Sequence, residues 1–341
     1  MSNSKVLIIY TGGTIGMIRD FETGALKVFN FENLLEKIPE LKLLDCEIST
    51  VSFDEPLDSS NMQPEDWYKM GSIIKENYEQ FDGFVILHGS DTMSYTASAL
   101  SFMMENLGKP VILTGSQLPI GDLRTDAKEN LITSVQLAAL KNEKGKSIIN
   151  EVGLYFEYKL YRGNRSTKIS AEYFEAFESP NYPALVNSGL HLKIDHGALA
   201  RKSKKKFKLH KNMVADVLVL HLYPGITQNM LESLTTSSIY KGVILLTFGT
   251  GNASTKPWFL ENLKNIIKKG IPVVNITQCT SGSVQMGNYE TSADLKNMGI
   301  IDGKDLTIEA AITKMMYLLG QNLSPKVFKT IFETSLRGEM V

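Results

Sequence analysis

The chain has 341 residues, a length that suggests two domains at about 150 residues each. Its 36 Lys and Arg against 37 Asp and Glu leave a formal net charge of −1, which argues against a molecule built to hold nucleic acid. Apolar residues make up 43% and charged residues 21%, a globular composition, and two cysteines, Cys46 and Cys279, exclude a disulfide framework or a Cys-based zinc site.

In chain order, residues 6–10 form a short apolar run that ends at glycines, the length of a buried strand and too short for a secretory signal. Further strands are predicted at 47–53, 83–88, 110–114 and 151–156, with helices at 64–80, 91–106 and 124–140 between them. Pro64 suits a first helical turn, and Glu65 and Asp66 follow it at the positive end of the helix dipole. The alternation restarts after about residue 213, with strands at 216–222, 242–248 and 272–277 and helices at 228–235, 256–269, 306–320 and 325–334. Strands alternating with helices predict an α/β fold, its sheets parallel or mixed and covered on both faces. No stretch reaches the roughly 18 apolar residues of a membrane span, so a cytoplasmic protein is expected.

The least periodic stretch, 191–212, is read as a linker between domains at 1–190 and 213–341. Its basic run Arg201, Lys202, Lys204, Lys205 and Lys206 could be a nucleic-acid patch, but a solvated linker is favoured, because only Phe207 offers an aromatic surface.

Three polar clusters follow apolar strands, where open α/β sheets bind ligands. The first is Thr11, Gly12, Gly13, Thr14, Ile15, Gly16 and Met17. It matches neither G-x-G-x-x-G nor a P-loop, so its glycines serve a tight turn, structural or close to a ligand. The second is His88, Gly89, Ser90, Asp91, Thr92 and Met93, where Ser90 or Asp91 could cap a helix or supply a nucleophile. The third, Asp58, Ser59 and Ser60, could be an Asx-type turn or a binding loop. A fourth cluster, 160–168, carries Lys168, which could pair with a buried carboxylate. There is no G-x-S-x-G elbow and no H-E-x-x-H. His88, His191, His196, His210 and His221 lack metal-ligand spacing, and His88 and His221 read as packed or hydrogen-bonded strand-end residues. With few histidines as bases, a hydroxyl nucleophile would need Tyr or Lys for activation, which points to hydroxyl-based acyl transfer.

Taken together, the segments at 11–17, 58–60 and 88–93 resemble the L-asparaginase family. The likeness continues through 94–117, Tyr161 to Arg165, Asn275 to Cys279 and Leu336 to Glu339, and is greatest to the cytoplasmic type I branch. The resemblance implies a larger N-terminal catalytic domain with a mixed sheet flanked by helices, and a smaller C-terminal Rossmann-like parallel α/β domain. It implies hydrolysis of L-asparagine to L-aspartate and ammonia, with no metal or organic cofactor, in a homodimer or homotetramer with no nucleic-acid or membrane partner.

By position, the resemblance makes Thr14 the nucleophile that forms a covalent acyl-enzyme. Ser90, Asp91 and Lys168 correspond to a second group, with serine where the family usually has threonine, and Lys168 held by Asp91 to assist loss of a proton from Ser90 or from water. Ser59 and Ser60 would hold the substrate α-carboxylate and Asp91 its α-ammonium, with Asp58 supporting the loop and Gln117 lining the site. A loop tyrosine used by many members is absent: Gly24, Ala25 and Leu26 stand there. Tyr317 matches a C-terminal helix tyrosine and becomes the hydroxyl partner of Thr14, although a core aromatic is the competing reading. Thr167 and Cys279 occupy positions of a second, activating asparagine site in some relatives. Leu246 stands where that site would have an arginine, and it cannot pair with a carboxylate.

A glutaminase-asparaginase of mixed specificity is the nearest alternative, since one methylene changes discrimination by only about 1–3 kcal/mol. An amidotransferase subunit sharing this core would carry an added N-terminal domain, whereas the first strand here begins near residue 5. A non-catalytic amino-acid sensor would have lost a nucleophile, and Thr14, Ser90, Asp91 and Lys168 are all present. A nucleotide-binding module lacks its glycine and lysine spacing.

Overall fold

The computed structural model describes residues 3–19, 26–28, 38–236, 239–287 and 290–341. Contacts divide the chain into two compact units, Met1–Lys211 and Asn212–Val341.

The first unit is built on an eight-stranded sheet. Five parallel strands form most of it: β1 (Ser4–Gly12), β2 (Cys46–Leu57), β3 (Gly83–Leu87), β4 (Val111–Thr114) and β5 (Val152–Phe156). Antiparallel β6 (Lys159–Arg162), β7 (Val186–Asn187) and β8 (Lys193–Ile194) extend it, giving the order β8-β7-β6-β5-β4-β3-β1-β2. Strands β3, β4 and β5 are buried at every position, which is why they read as continuous apolar runs without alternation. Neither β7 nor β8 was predicted, because two residues are too short to show a period.

Three helices flank this sheet. In α1 (Pro64–Glu76), Gln63 and Asp66 close a capping box around Pro64, and Trp67, Met70, Gly71 and Ile74 form the buried stripe. In α2 (Met93–Met103), ten of the eleven residues are buried, and small side chains such as Ala97 let the turn at Gly163 approach its backbone. The predicted helix 91–106 ends early because Met104–Glu105 leaves to pair with Lys208–Leu209. The third helix, α3 (Ala127–Ala139), buries Leu131, Val135 and Ala138.

The stretch at 191–211 is therefore structured within the first unit: β8 extends the main sheet, and Lys208–Leu209 pairs with Met104–Glu105. Buried Arg162 fastens its start, donating to Glu151 at 2.5 Å and to the Ala198 carbonyl at 2.8 Å.

The second unit holds four parallel strands in sequential order, β9 (Val217–His221), β10 (Gly242–Thr247), β11 (Val273–Thr277) and β12 (Ile301–Asp302). Its helices are α4 (Gln228–Thr236), α5 (Pro257–Lys268), α6 (Glu290–Asn297), α7 (Ile308–Leu319) and α8 (Pro325–Phe332). The mixed first sheet and the smaller parallel second sheet agree with the expected architecture. His221 differs from its reading as a packed residue: β9 is an edge strand, and the side chain is exposed.

Candidate active site

The parallel part of the first sheet runs β2-β1-β3-β4-β5, so the strand order reverses between β1 and β3. At such a switch point the connections leave in opposite directions and open a crevice at the carboxyl ends of the strands. Thr14 follows β1 and Ser90 follows β3, so both stand at that crevice.

Glycines let the surrounding loops close on one another. Gly13 has φ 87° and ψ 169°, a conformation essentially confined to glycine. A Cβ on Gly13 would lie 2.5 Å from the Gly89 nitrogen, and one on Gly89 would lie 2.5 Å from Ser59 Oγ. A Cβ on Gly12 would meet the Leu57 carbonyl at 2.1 Å. The loops after β1, β2 and β3 thus touch through glycine backbone, which brings Thr14, Ser59 and Ser90 into one neighbourhood. Asp58 stabilises its own turn by accepting from Ser60 N at 2.9 Å, and Thr92 Oγ1 donates to the Ser59 carbonyl at 2.7 Å.

Lys168 completes the cluster from a hairpin in which Thr167–Lys168 pairs with Phe177–Glu178. Its Nζ donates to Ser90 Oγ at 2.8 Å and to Asp91 Oδ1 at 2.7 Å. The Lys168 side chain is 17% exposed and that of Asp91 65%, so the ammonium is sheltered while the carboxylate keeps a face open to a ligand. The Ser90 hydroxyl lies 3.3 Å from Gln117 Oε1, to which it donates, and Gln117 Nε2 donates to the Tyr173 carbonyl at 3.0 Å. Gln117 therefore bridges the Ser90 turn and the Lys168 hairpin.

His88 is fully buried beside this cluster, and burial pushes its pKa down to about 4. Its Nδ1 lies 2.7 Å from the Gly89 carbonyl, which can only accept, so Nδ1 carries the proton. Nε2 then accepts from Thr96 Oγ1 at 2.9 Å, and Thr96 in turn accepts from Trp67 Nε1 at 3.0 Å. Every polar group in this chain of bonds is satisfied, so His88 holds the turn and has no base left to offer. Tyr10, whose hydroxyl donates to the Gly16 carbonyl, has its pKa pushed up to about 12 by burial and is equally unsuited to accept a proton.

The first unit thus gathers Ser90, Asp91, Lys168 and Gln117 in direct contact, with Thr14, Asp58, Ser59 and Ser60 on abutting loops. Tyr317 lies buried on α7 in the second unit. Thr167 belongs to the first unit, while Cys279 and Leu246 belong to the second; Cys279 is exposed and Leu246 is buried on β10. Gly24 and Ala25 fall outside the described residues. Sequence reasoning did not single out Asp126, whose carboxylate accepts from Gln117 N at 3.1 and 2.9 Å and from Leu118 N at 3.1 Å. The predicted helix 124–140 places it inside the helix, whereas the helix begins at Ala127. Among the described residues no group of three or more His, Cys, Asp or Glu is arranged to hold a metal ion.

Residues 5–199 match the model of the asparaginase N-terminal domain, and residues 216–332 that of the glutaminase/asparaginase C-terminal domain. The chain belongs to the asparaginase family. It is 43% identical to L-asparaginase 1 of Escherichia coli (strain K12), over 100% of this chain and 99% of that one. The crystal structure of L-asparaginase I from Vibrio cholerae superposes with a TM-score of 0.91 at 42% identity, covering all of both chains. The thermostable L-asparaginase from Thermococcus kodakarensis matches with a TM-score of 0.89 at 31% identity, over 99% of each chain.

Proposed function

We propose that the protein is an L-asparagine amidohydrolase that works through a Thr14 acyl-enzyme. The observation that carries this reading is the contact of Lys168 Nζ with both Ser90 and Asp91, beside the glycine turn that presents Thr14. Thr14 Oγ1 attacks the carboxamide carbon, the C–N bond breaks, and the nitrogen leaves as ammonia after taking up a proton. Water then adds to the ester, and Thr14 Oγ1 recovers its proton as aspartate departs. Ser90 and Lys168 assist the proton transfers, with the ammonium kept in place by Asp91. Backbone N–H groups of the Gly13 and Ser90 loops would stabilise the developing oxyanion.

Asp91, largely exposed, accepts from the substrate α-ammonium, and Ser59 and Ser60 with their loop amides receive the α-carboxylate. Asp58 fixes that loop and Gln117 lines the site. The relatives named as L-asparaginases support asparagine as substrate. A cytoplasmic location goes with the likeness to the type I branch; separately, no described helix is long and apolar enough to cross a membrane. Exposed Tyr223, Met230 and Leu234 on the second unit offer apolar area for assembly as a homodimer or homotetramer, which sedimentation velocity measures.

The function is tested by ammonia release from asparagine and from glutamine at low and high concentration, with Thr14→Ala as control. Release from asparagine that vanishes in the control is expected. Binding without release would make the protein a sensor, and equal rates on both amides would make it a glutaminase-asparaginase. A sigmoidal asparagine curve would contradict the loss of activation inferred from Leu246.

A further inference from the structure

Asp126 occupies the residue before α3, where an aspartate normally accepts from its own helix amides. It makes no such side-chain cap; Thr125 Oγ1 accepts from Ala127 N at 3.0 Å instead. The Asp126 carboxylate, in a residue only 6% exposed, is turned onto the neighbouring loop, where both oxygens accept from Gln117 N and Oδ1 also accepts from Leu118 N. Oδ2 further accepts from Asn130 Nδ2 at 3.1 Å, and the same amide group reaches the Gly115 carbonyl at 3.1 Å. Asn130 Oδ1 accepts from Glu157 N at 3.1 Å, so the pair is anchored to the β5–β6 turn as well.

Burying a carboxylate is unfavourable unless its charge is met, and here N–H dipoles meet it. Burial pushes the Asp126 carboxyl up, and its hydrogen bonds from Gln117, Leu118 and Asn130 oppose that shift. A fold that needed only a loop closure could use Asn or Ser at this point. A charged acceptor holding two consecutive amides fixes the backbone direction of Gln117, and hence where its side-chain oxygen sits.

That oxygen receives the Ser90 proton, while Lys168 donates to the same Ser90 oxygen from another side. We infer that Asp126 is a positioning residue for amide hydrolysis: it holds Gln117 so that the Ser90 hydroxyl keeps its oxygen turned to Lys168. This rests on the reading of Ser90, Lys168 and Gln117 as parts of the active site.

The test is a double-mutant cycle on asparagine turnover in the full-length enzyme, with thermal unfolding followed in parallel. Asp126→Asn keeps the volume but sets an NH2 group where Oδ2 meets the Gln117 and Asn130 donors. We expect kcat to fall about tenfold or more with KM within about twofold, and the same change to alter kcat less than about twofold in a Gln117→Ala background. A lower Tm with unchanged kcat would make Asp126 purely structural and overturn the inference. So would equal losses in both backgrounds, which leave the site reading intact. If Gln117→Ala by itself leaves kcat/KM unchanged, the placement of Gln117 at the site fails and the inference falls with it. Should Asp126→Asn not fold, Asp126→Glu, which keeps the charge but displaces it, enters the same cycle with the same criteria.

Discussion

Lys168 is the side chain on which the cluster converges, and its removal should be felt at turnover before it is felt in folding. Lys168→Met leaves Asp91 without its cation and Ser90 without its donor. Because Asp91 is largely exposed, water can solvate it, so the stability change should stay within about 1 kcal/mol. The rate of ammonia release should fall well beyond about tenfold, as expected when general acid–base assistance is lost. A near-normal rate would refute the role. His88 makes a different residue-scale prediction. Its pKa near 4 in the folded protein lies below the ordinary value of 6.5, so the unfolded chain binds the proton first as pH falls. Stability is therefore intact above about pH 6.5 and declines as pH drops toward 4, by about 3 kcal/mol from this group. Urea unfolding at pH 7 and at pH 4.5 should show that decline, and His88→Asn should lose this part of the slope. The histidine is legible in the sequence as a packed residue at a strand end; its proton and partners are not, because Thr96 reaches it from one helix and is itself held by Trp67 from another.

At the scale of elements, the proposed site depends on how closely three loops approach. Gly13→Ala would put a methyl group 2.5 Å from the Gly89 nitrogen and force an alanine into a backbone region that excludes it. A strained residue of this kind costs about 1–3 kcal/mol, and parting the β1 and β3 loops also separates Thr14 from Ser90. The variant should lose several degrees of Tm and most of its turnover; a circular-dichroism melt with a rate assay measures both. The motif 11–17 was readable as a glycine turn after a strand, and the strands and helices around it were readable from their periodicity. Which turns would touch was not readable, since residues 13, 59 and 89 meet only once strand order places β1 between β2 and β3. The hairpin bearing Lys168 was hidden for a related reason: two paired residues per strand leave no alternation to detect.

Over the whole molecule, the second unit is tied to its own C-terminal segment by charge. Lys314 on α7 and Glu339 are both completely buried and lie 2.5 Å apart, with Lys314 Nζ also donating to the Thr334 carbonyl at 2.7 Å. Glu339 accepts from Leu336 N at 2.9 and 3.0 Å and from Arg337 N at 2.7 Å, which folds residues 336–339 around the carboxylate. Glu339→Ala leaves a buried ammonium and should destabilise the protein by about 3–5 kcal/mol. Replacing the pair together, Lys314→Met with Glu339→Leu, should cost much less, and chemical denaturation of both variants distinguishes the two. What the amino-acid sequence by itself determined was local: apolar runs for strands, amphipathic runs for helices, glycine turns at strand ends, and motifs whose order marks the asparaginase family. Those features depend on neighbours a few residues apart, and a sequence displays them directly. Only the tertiary structure decided that β1 and β3 flank the switch point, that Lys168 reaches Ser90 and Asp91 from 78 and 77 residues away, and that Asp126 holds Gln117 rather than its own helix. Burial and hydrogen-bond satisfaction select those contacts, and both act between segments that the chain's linear order keeps apart.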